Sequence, residues 1–103
     1  MSELREKLNE ELAIAPWEAL LPHAERDCLI CVSSDIGLVD VGVAVASDDV
    51  AKVNQWMGTG QIRKPTKKEL DSWNQTPASF FQFLIVQPYV LIMQYFLESQ
   101  EIH

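Results

Sequence analysis

The first part of the chain carries apolar residues at helical spacing. Leucines recur every four residues from Leu4 to Leu12, with glutamates between them, and predict an amphipathic helix over residues 3–14. A second helix is expected to start at Pro16, because proline suits the first turn of a helix. Pro22 is expected to kink or end this second helix, since proline removes a backbone hydrogen-bond donor.

The middle of the chain is predicted to form a β-hairpin from Cys28 to Ala46. Residues 28–32 are a short apolar run bounded by polar residues, which is typical of a strand. From Leu38 onwards, valines occupy every second position, so a strand would place them on one buried face and small residues on the other. The face with the small residues would either pack closely against a helix or another stretch of backbone, or be exposed to solvent. The pattern does not distinguish these two alternatives.

A helix is expected next. Ser47, Asp48 and Asp49 favour its start, because their side chains accept hydrogen bonds from free backbone N–H groups and suit the positive end of the helix dipole. Gly58 and Gly60 predict its end. The apolar stripe of this helix is expected to be buried, with its tryptophan as a core anchor; it comprises Val50, Val53, Trp56 and Met57.

The C-terminal third is predicted to hold one more helix and then strands. Thr66 and Glu69 have the spacing of a capping box. Phe80 to Val86 is aromatic and β-branched, as expected of a central strand buried on both faces. Residues 89–97 fit a strand or a helix, and their composition favours a strand. The chain is therefore predicted to be α+β, a single domain over 1–103 with a core over about 4–97 and a small antiparallel or mixed sheet.

Composition and charge narrow the classes of function. Apolar residues make up 48% and charged residues 22% of the 103 residues, a globular balance that excludes a disordered chain. The net charge of −7 repels phosphate backbones and anionic lipids, so neither nucleic acid nor membrane is expected as a partner. The N-terminus does not resemble a signal peptide, which predicts a cytoplasmic protein. The uncharged run from Phe80 to Leu97 contains glutamines and Pro88 and is interpreted as core.

Half of the positive charge lies in eight residues. Residues 61–68 contain four of the eight basic side chains and no acidic one. A phosphorylated or other anionic ligand would bind there, because a helix start adds backbone N–H groups and positive potential. The candidate ligand-binding residues are Arg63, Lys64, Thr66, Lys67 and Lys68. A solvated cationic loop is the alternative interpretation of the same residues.

Cys28 and Cys31 have CxxC spacing, but within a strand they would face opposite sides of the sheet. They are interpreted as free thiols, with no metal site and no cofactor. No nucleophile motif, phosphate-binding loop or catalytic arrangement around a histidine is present in the sequence. The sequence therefore offers no candidate catalytic residue for an enzymatic activity.

Several segments resemble a known bacterial family. They are Pro16 to Leu20, Leu38 to Val41 running into Val43 to Ala46 with Asp48 and Asp49, Val53 to Trp56, and Val86 to Ile92. Together they resemble the domain-of-unknown-function family numbered 2288, over about Leu4 to Gln94. The resemblance implies a bacterial, cytoplasmic, single-domain protein and transfers no functional residue.

The functional hypothesis from the sequence is a non-catalytic protein-interaction or chaperone-like module. A homodimer is expected, with an unidentified protein as a further possible partner, because the apolar, uncharged segment from Phe80 to Leu97 would leave a sheet edge or face to be covered. The alternative hypothesis is an anion or phospho-ligand binding protein that uses residues 58–68.

Overall fold

The computed structural model describes residues 3–94, which form five helices and five strands. In chain order the elements are α1 (Glu3–Glu11), β1 (Ala13–Pro16), α2 (Trp17–Glu25), β2 (Leu29–Val32), α3 (Leu38–Ala46), α4 (Val50–Thr59), β3 (Ile62–Arg63), α5 (Lys67–Gln75), β4 (Phe80–Val86) and β5 (Tyr89–Gln94). None of the helices within 3–94 has the length and apolar character needed to cross a bilayer.

The five strands form one mixed sheet in the order β1-β4-β5-β2-β3. β4 pairs antiparallel with β1 and β5, β5 runs parallel to β2, and β2 pairs antiparallel with β3. The predicted single α+β domain with a mixed sheet is therefore confirmed, as is the interior position of Phe80–Val86. Residues 89–94 extend as a strand, as predicted, and residues 95–97 lie outside the described residues.

Helices cover both faces of the sheet, and side chains along β2, β4 and β5 alternate between two apolar clusters. Leu84 and Val86 of β4 pack in a cluster with α1 and α3, and α4 leans on the same cluster through partly buried side chains. Phe81, on the opposite face of β4, packs with Trp17 of α2 and Trp73 of α5. Ring centroids within this aromatic trio lie 5.0 to 5.7 Å apart. Trp17 and Trp73 are thus core residues.

The predicted β-hairpin is wrong, because Leu38–Ala46 is helix α3. Nearly every position of this segment is apolar or small, so it satisfies a spacing of two and a helical spacing equally well. In the helix, Leu38, Val41 and Ala44 turn towards the sheet and are buried, whereas the other valines are only partly buried. The apolar sheet face formed by β2, β4 and β5 would be exposed to water without a helix over it. Burial of that face by α3 outweighs the strand preference of valine.

The N-terminal boundaries also differ from the prediction. α1 ends at Glu11, and Ala13–Pro16 leaves the helix to become the edge strand β1. A residue before proline is biased towards extended backbone, which favours this change. Pro16 caps α2 rather than lying within it, and Pro22 lies inside α2 without ending it.

Candidate functional site

An apolar cleft opens between α4 and the sheet, on the face that α3 covers. Its cavity has a volume of about 200 Å³. The lining is aliphatic apart from three side chains at the rim, and it comprises Ile30, Val41, Val45, Val53, Met57, Ile62, Leu91, Arg63, Lys64 and Tyr89. A second hollow shares Val45, Val53 and Tyr89 with the first and extends it towards Asp48 and Pro88. The two neighbouring hollows are together called the α4 cleft below.

The α4 cleft exists because the apolar stripe of α4 is not buried. None of the residues of α4 is fully buried, Val50 is 58% exposed and Met57 is 59% exposed. Val53 and Trp56 are partly buried against the core, and the Lys52 ammonium lies 5.9 Å from the centroid of the Trp56 ring. The predicted burial of this stripe is therefore wrong for Val50 and Met57, and Trp56, expected to be a core anchor, is only partly buried against the core. The side of α4 that carries Val53 and Trp56 packs against the core, whereas the side that carries Val50 and Met57 is exposed.

The ends of α4 are fixed by local sequence. The Asp49 carboxylate, and not the Ser47 hydroxyl, caps the helix by accepting a hydrogen bond from the Lys52 N–H at 3.2 Å. Ser47 instead caps the C-terminus of α3. Gly60 ends α4 with φ of 78°, a left-handed conformation that glycine adopts without strain. These caps place the acidic pair 48–49 at one end of the cleft. The other end lies beside residues 61–68, which carry four basic side chains and are called the basic segment below.

Arg63, the first cation of the basic segment, belongs to the hydrogen-bond network that caps the start of α5. Arg63 Nη1 and Nη2 donate to the two carboxylate oxygens of Glu69 at 2.7 and 2.8 Å. The predicted capping box is present, because Thr66 N donates to Glu69 Oε1 and Thr66 Oγ1 accepts from Glu69 N. The bond from Arg63 lowers the pKa of Glu69 to about 2. The start of α5 therefore already holds a carboxylate where an anionic ligand was expected to bind.

Two of the other candidate cations are also paired with acids. Lys64 Nζ lies 2.7 Å from Asp27 Oδ2, and this hydrogen bond raises the pKa of Lys64. Lys67 Nζ lies 3.4 Å from Asp71 Oδ2 in an exposed pair. Lys68 makes no such pair within the described residues. The structure thus brings Arg63 and Lys64 to the rim of the α4 cleft and leaves Lys67 and Lys68 outside its lining. Anion binding by this segment stays a prediction.

Only one of the two cysteines lies within a strand. Cys31 lies in β2, where burial raises the pKa of its thiol to about 11. Cys28 precedes β2, and neither residue forms a disulfide. Within residues 3–94, no group of three or more His, Cys, Asp or Glu side chains is arranged to hold a metal ion.

Tyr89 and Asp27 are parts of the site that the sequence does not reveal. Tyr89 follows the turn between β4 and β5, and its side chain is 40% exposed at the rim of the cleft. Asp27 reaches Lys64 across 37 positions of the chain. The spacing of Val50 and Met57, two helical turns apart, is the sequence signal for the cleft wall, but the same spacing is typical of buried stripes.

A solved structure is similar to this one. It is the NMR solution structure of PA1075 from Pseudomonas aeruginosa, with a TM-score of 0.77 and 29% sequence identity. The alignment covers 100% of this chain and 94% of that chain. A comparison with curated proteins found no match.

The family resemblance of the sequence is confirmed by a direct comparison with families. The profile described as "Protein of unknown function (DUF2288)" matches residues 3–94, which are the same residues that form the helices, the sheet and the α4 cleft. Because that match covers nearly the whole chain, the chain belongs to the DUF2288 family.

Proposed function

We propose that this protein is a non-catalytic protein-interaction module and that the α4 cleft is its binding surface. One observation carries the proposal: Val50 and Met57 are more than half exposed beside a cleft that is lined mainly by aliphatic side chains, with charged groups at its two ends. Exposed apolar side chains at the rim of an apolar cleft are typical of surfaces that bind another protein.

The polar groups of the cleft favour binding over catalysis. The hydrogen bond that Lys64 Nζ donates to Asp27 keeps the pKa of Lys64 above its usual value, so its amine stays protonated at neutral pH and is a poor nucleophile or base. The Arg63 guanidinium is held by both oxygens of Glu69. Tyr89 is the third polar side chain of the first hollow. These groups suit recognition of a charged or polar neighbour at the rim.

We further place the protein in the bacterial cytoplasm. The similar solved structure belongs to a bacterial protein. The two thiols are unpaired, which suits a reducing compartment. Cell fractionation with an antibody against the protein tests this placement, and recovery in the periplasmic or membrane fraction would contradict it.

Site-specific photo-crosslinking tests the role of the cleft. A photoreactive phenylalanine derivative replaces Met57 in the protein expressed in bacterial cells, and the matched control carries it at Ile14. Ile14 is also exposed, at 47%, but lies on β1 at the opposite edge of the sheet. We expect a discrete protein adduct from position 57 and none from position 14. The absence of any adduct at position 57, or equal adducts at both positions, would contradict the proposal.

A further inference from the structure

The two ends of the α4 cleft carry opposite charges. Lys64 lies at the end near Met57, and Asp48 lies at the end near Val50. Val50 and Met57 are seven residues apart on α4, which corresponds to a rise of about 10 Å. The cleft is therefore an apolar strip with two ion-paired cations, Arg63 and Lys64, at one end and the carboxylates of residues 48–49 at the other.

Such a strip is complementary to itself after a two-fold rotation. In a two-fold dimer, the same patch of each copy meets the other, so each residue contacts a partner at the symmetry-related position. Rotation about the middle of the strip brings the basic end of one copy onto the acidic end of the other. It also places the two α4 helices antiparallel, which brings the positive end of each helix dipole beside the negative end of the other.

We infer that a second copy of this chain fills the α4 cleft, with antiparallel α4 helices and with Lys64 of each copy opposite Asp48 of the other. This inference rests on the proposed function and names the protein that occupies its surface. Val50, Met57 and Tyr89, the most exposed apolar and aromatic side chains of the cleft, form the apolar centre of the contact. The two charge pairs fix its direction.

The cation available for this contact is Lys64 rather than Arg63. Arg63 donates two hydrogen bonds to the carboxylate of Glu69, one from each Nη atom. Lys64 pairs with Asp27, whose side chain is 77% exposed, and the Lys64 side chain is itself 56% exposed. Exposed ion pairs of this kind contribute little to stability, so Lys64 is able to turn from Asp27 to a carboxylate of the other copy.

The acidic partner is Asp48 because Asp49 is engaged as the cap of α4. Asp48 lies in the loop before the helix with φ of 60° and lines the cleft. Replacement of Asp48 therefore removes a charge from the end of the cleft while the cap of α4 stays in place.

A charge-exchange experiment tests this arrangement. Lys64→Asp and Asp48→Lys are prepared separately, and the association state of each is measured by light scattering and sedimentation equilibrium. The wild-type protein is expected to have twice its mass of 11.7 kDa at micromolar concentration. In each variant homodimer, both charge pairs become like-charge contacts, so the dissociation constant should rise at least about tenfold. An equimolar mixture of the two variants restores both opposite-charge pairs, and it should form a heterodimer.

Matched controls separate charge pairing from loss of folding. Lys67→Asp removes the same charge from the same segment outside the cleft and should leave the dimer intact. Asp48→Asn keeps a residue that tolerates a positive φ and should weaken the dimer less than Asp48→Lys. Circular dichroism establishes that every variant is folded before association is measured.

The outcomes distinguish this inference from the proposed function. A wild-type protein that is monomeric up to millimolar concentration overturns the second copy as occupant. So does a mixture of the two variants that remains monomeric. In both cases, a crosslink from position 57 to a different protein would leave the proposed function standing, whereas the absence of any such crosslink would overturn both.

Discussion

The buried face of Gly42 on α3 lies directly over Leu84 of β4. A Cβ atom at Gly42 would lie 2.8 Å from Leu84 Cδ2 and 3.3 Å from Leu8 Cδ1. Leu84 is fully buried, so its side chain has little room to withdraw. The glycine therefore allows the close approach of α3 to the sheet.

We expect Gly42→Ala to lower the free energy of unfolding by about 1 to 2 kcal/mol, because the overpacking cost exceeds the gain in helix propensity. Gly58→Ala is the matched control, since Gly58 lies in α4 and a Cβ atom there meets nothing within 4 Å. It should raise stability by roughly 0.5 to 1 kcal/mol. Urea unfolding measures both variants, and a Gly42→Ala protein as stable as Gly58→Ala would contradict the close approach.

The tryptophans should differ in their contribution to stability. Trp17 is 1% exposed, and its indole N–H donates to Asn74 Oδ1 at 2.8 Å. Trp17→Ala should cost about 3 to 5 kcal/mol. Trp56 is only partly buried, so Trp56→Ala should cost less, about 1 to 2 kcal/mol. Thermal unfolding of the two variants checks the order, and an equal or larger loss for Trp56→Ala would show that this residue is a core anchor after all.

The bond between Arg63 and Glu69 should make stability depend on pH in the acid range. The pKa of Glu69 falls from 4.5 to about 2 on folding, so its contribution is fully present above about pH 4.5 and is lost as the pH falls towards 2. Glu69→Gln keeps a capping side chain without the charge. The variant should be less stable than wild type by about 1 kcal/mol at neutral pH.

Urea unfolding over a range of pH follows this difference, which should vanish near pH 2. A constant difference between wild type and Glu69→Gln at all pH values would show that the charge of Glu69 is not what stabilises the start of α5.

Cys31 should react slowly with alkylating reagents. Burial raises the pKa of its thiol from 9.0 to about 11, which leaves about 100-fold less thiolate near pH 8. In a Cys28→Ser variant, the rate of iodoacetamide labelling reports Cys31 alone. We expect labelling to be at least about 100-fold slower in the folded protein than in urea. Equal rates would contradict the burial of this thiol.

Anion titration tests the alternative hypothesis of a ligand site at residues 58–68. Because the Glu69 carboxylate already binds Arg63 and the Thr66 N–H, we expect millimolar phosphate to leave the backbone amide shifts of residues 58–70 unchanged. Shifts that appear with phosphate and disappear when Lys67 and Lys68 are both replaced by Glu would instead support an anion site.

The sequence predicts best where a signal is local and has one interpretation. The capping box of Thr66 and Glu69, the helix end at Gly60 and the extended backbone of Phe80–Val86 each depend on neighbouring residues, and each appears as expected. The predicted burial of that strand on both faces is incomplete, since Phe80 and Ile85 are exposed. The segment Leu38–Ala46 has two compatible periodicities, and only the open sheet face beside it selects the helix. Local pattern cannot supply that choice.

The candidate site depends on contacts that are distant in sequence. Lys64 is at the rim of the α4 cleft, but its pairing with Asp27 and its position near Tyr89 arise from the sheet order β5-β2-β3. The apolar stripe of α4 is visible in the sequence, whereas its exposure is set by how α4 rests beside α3. The clustering of positive charge in the sequence therefore predicts a binding site at the basic segment, and it does not predict the neighbouring cleft.

Intermolecular NMR contacts test the central claim most directly. Protein with ¹³C-labelled methyl groups is mixed with unlabelled protein, and isotope-filtered spectra detect only contacts between copies. The antiparallel arrangement predicts contacts from the Met57 methyl group of one copy to Val50 of the other, with none from Ile14. Absence of any intermolecular contact at Met57 in wild-type protein of dimeric mass, or contacts at Ile14 instead, would contradict a second copy in the α4 cleft.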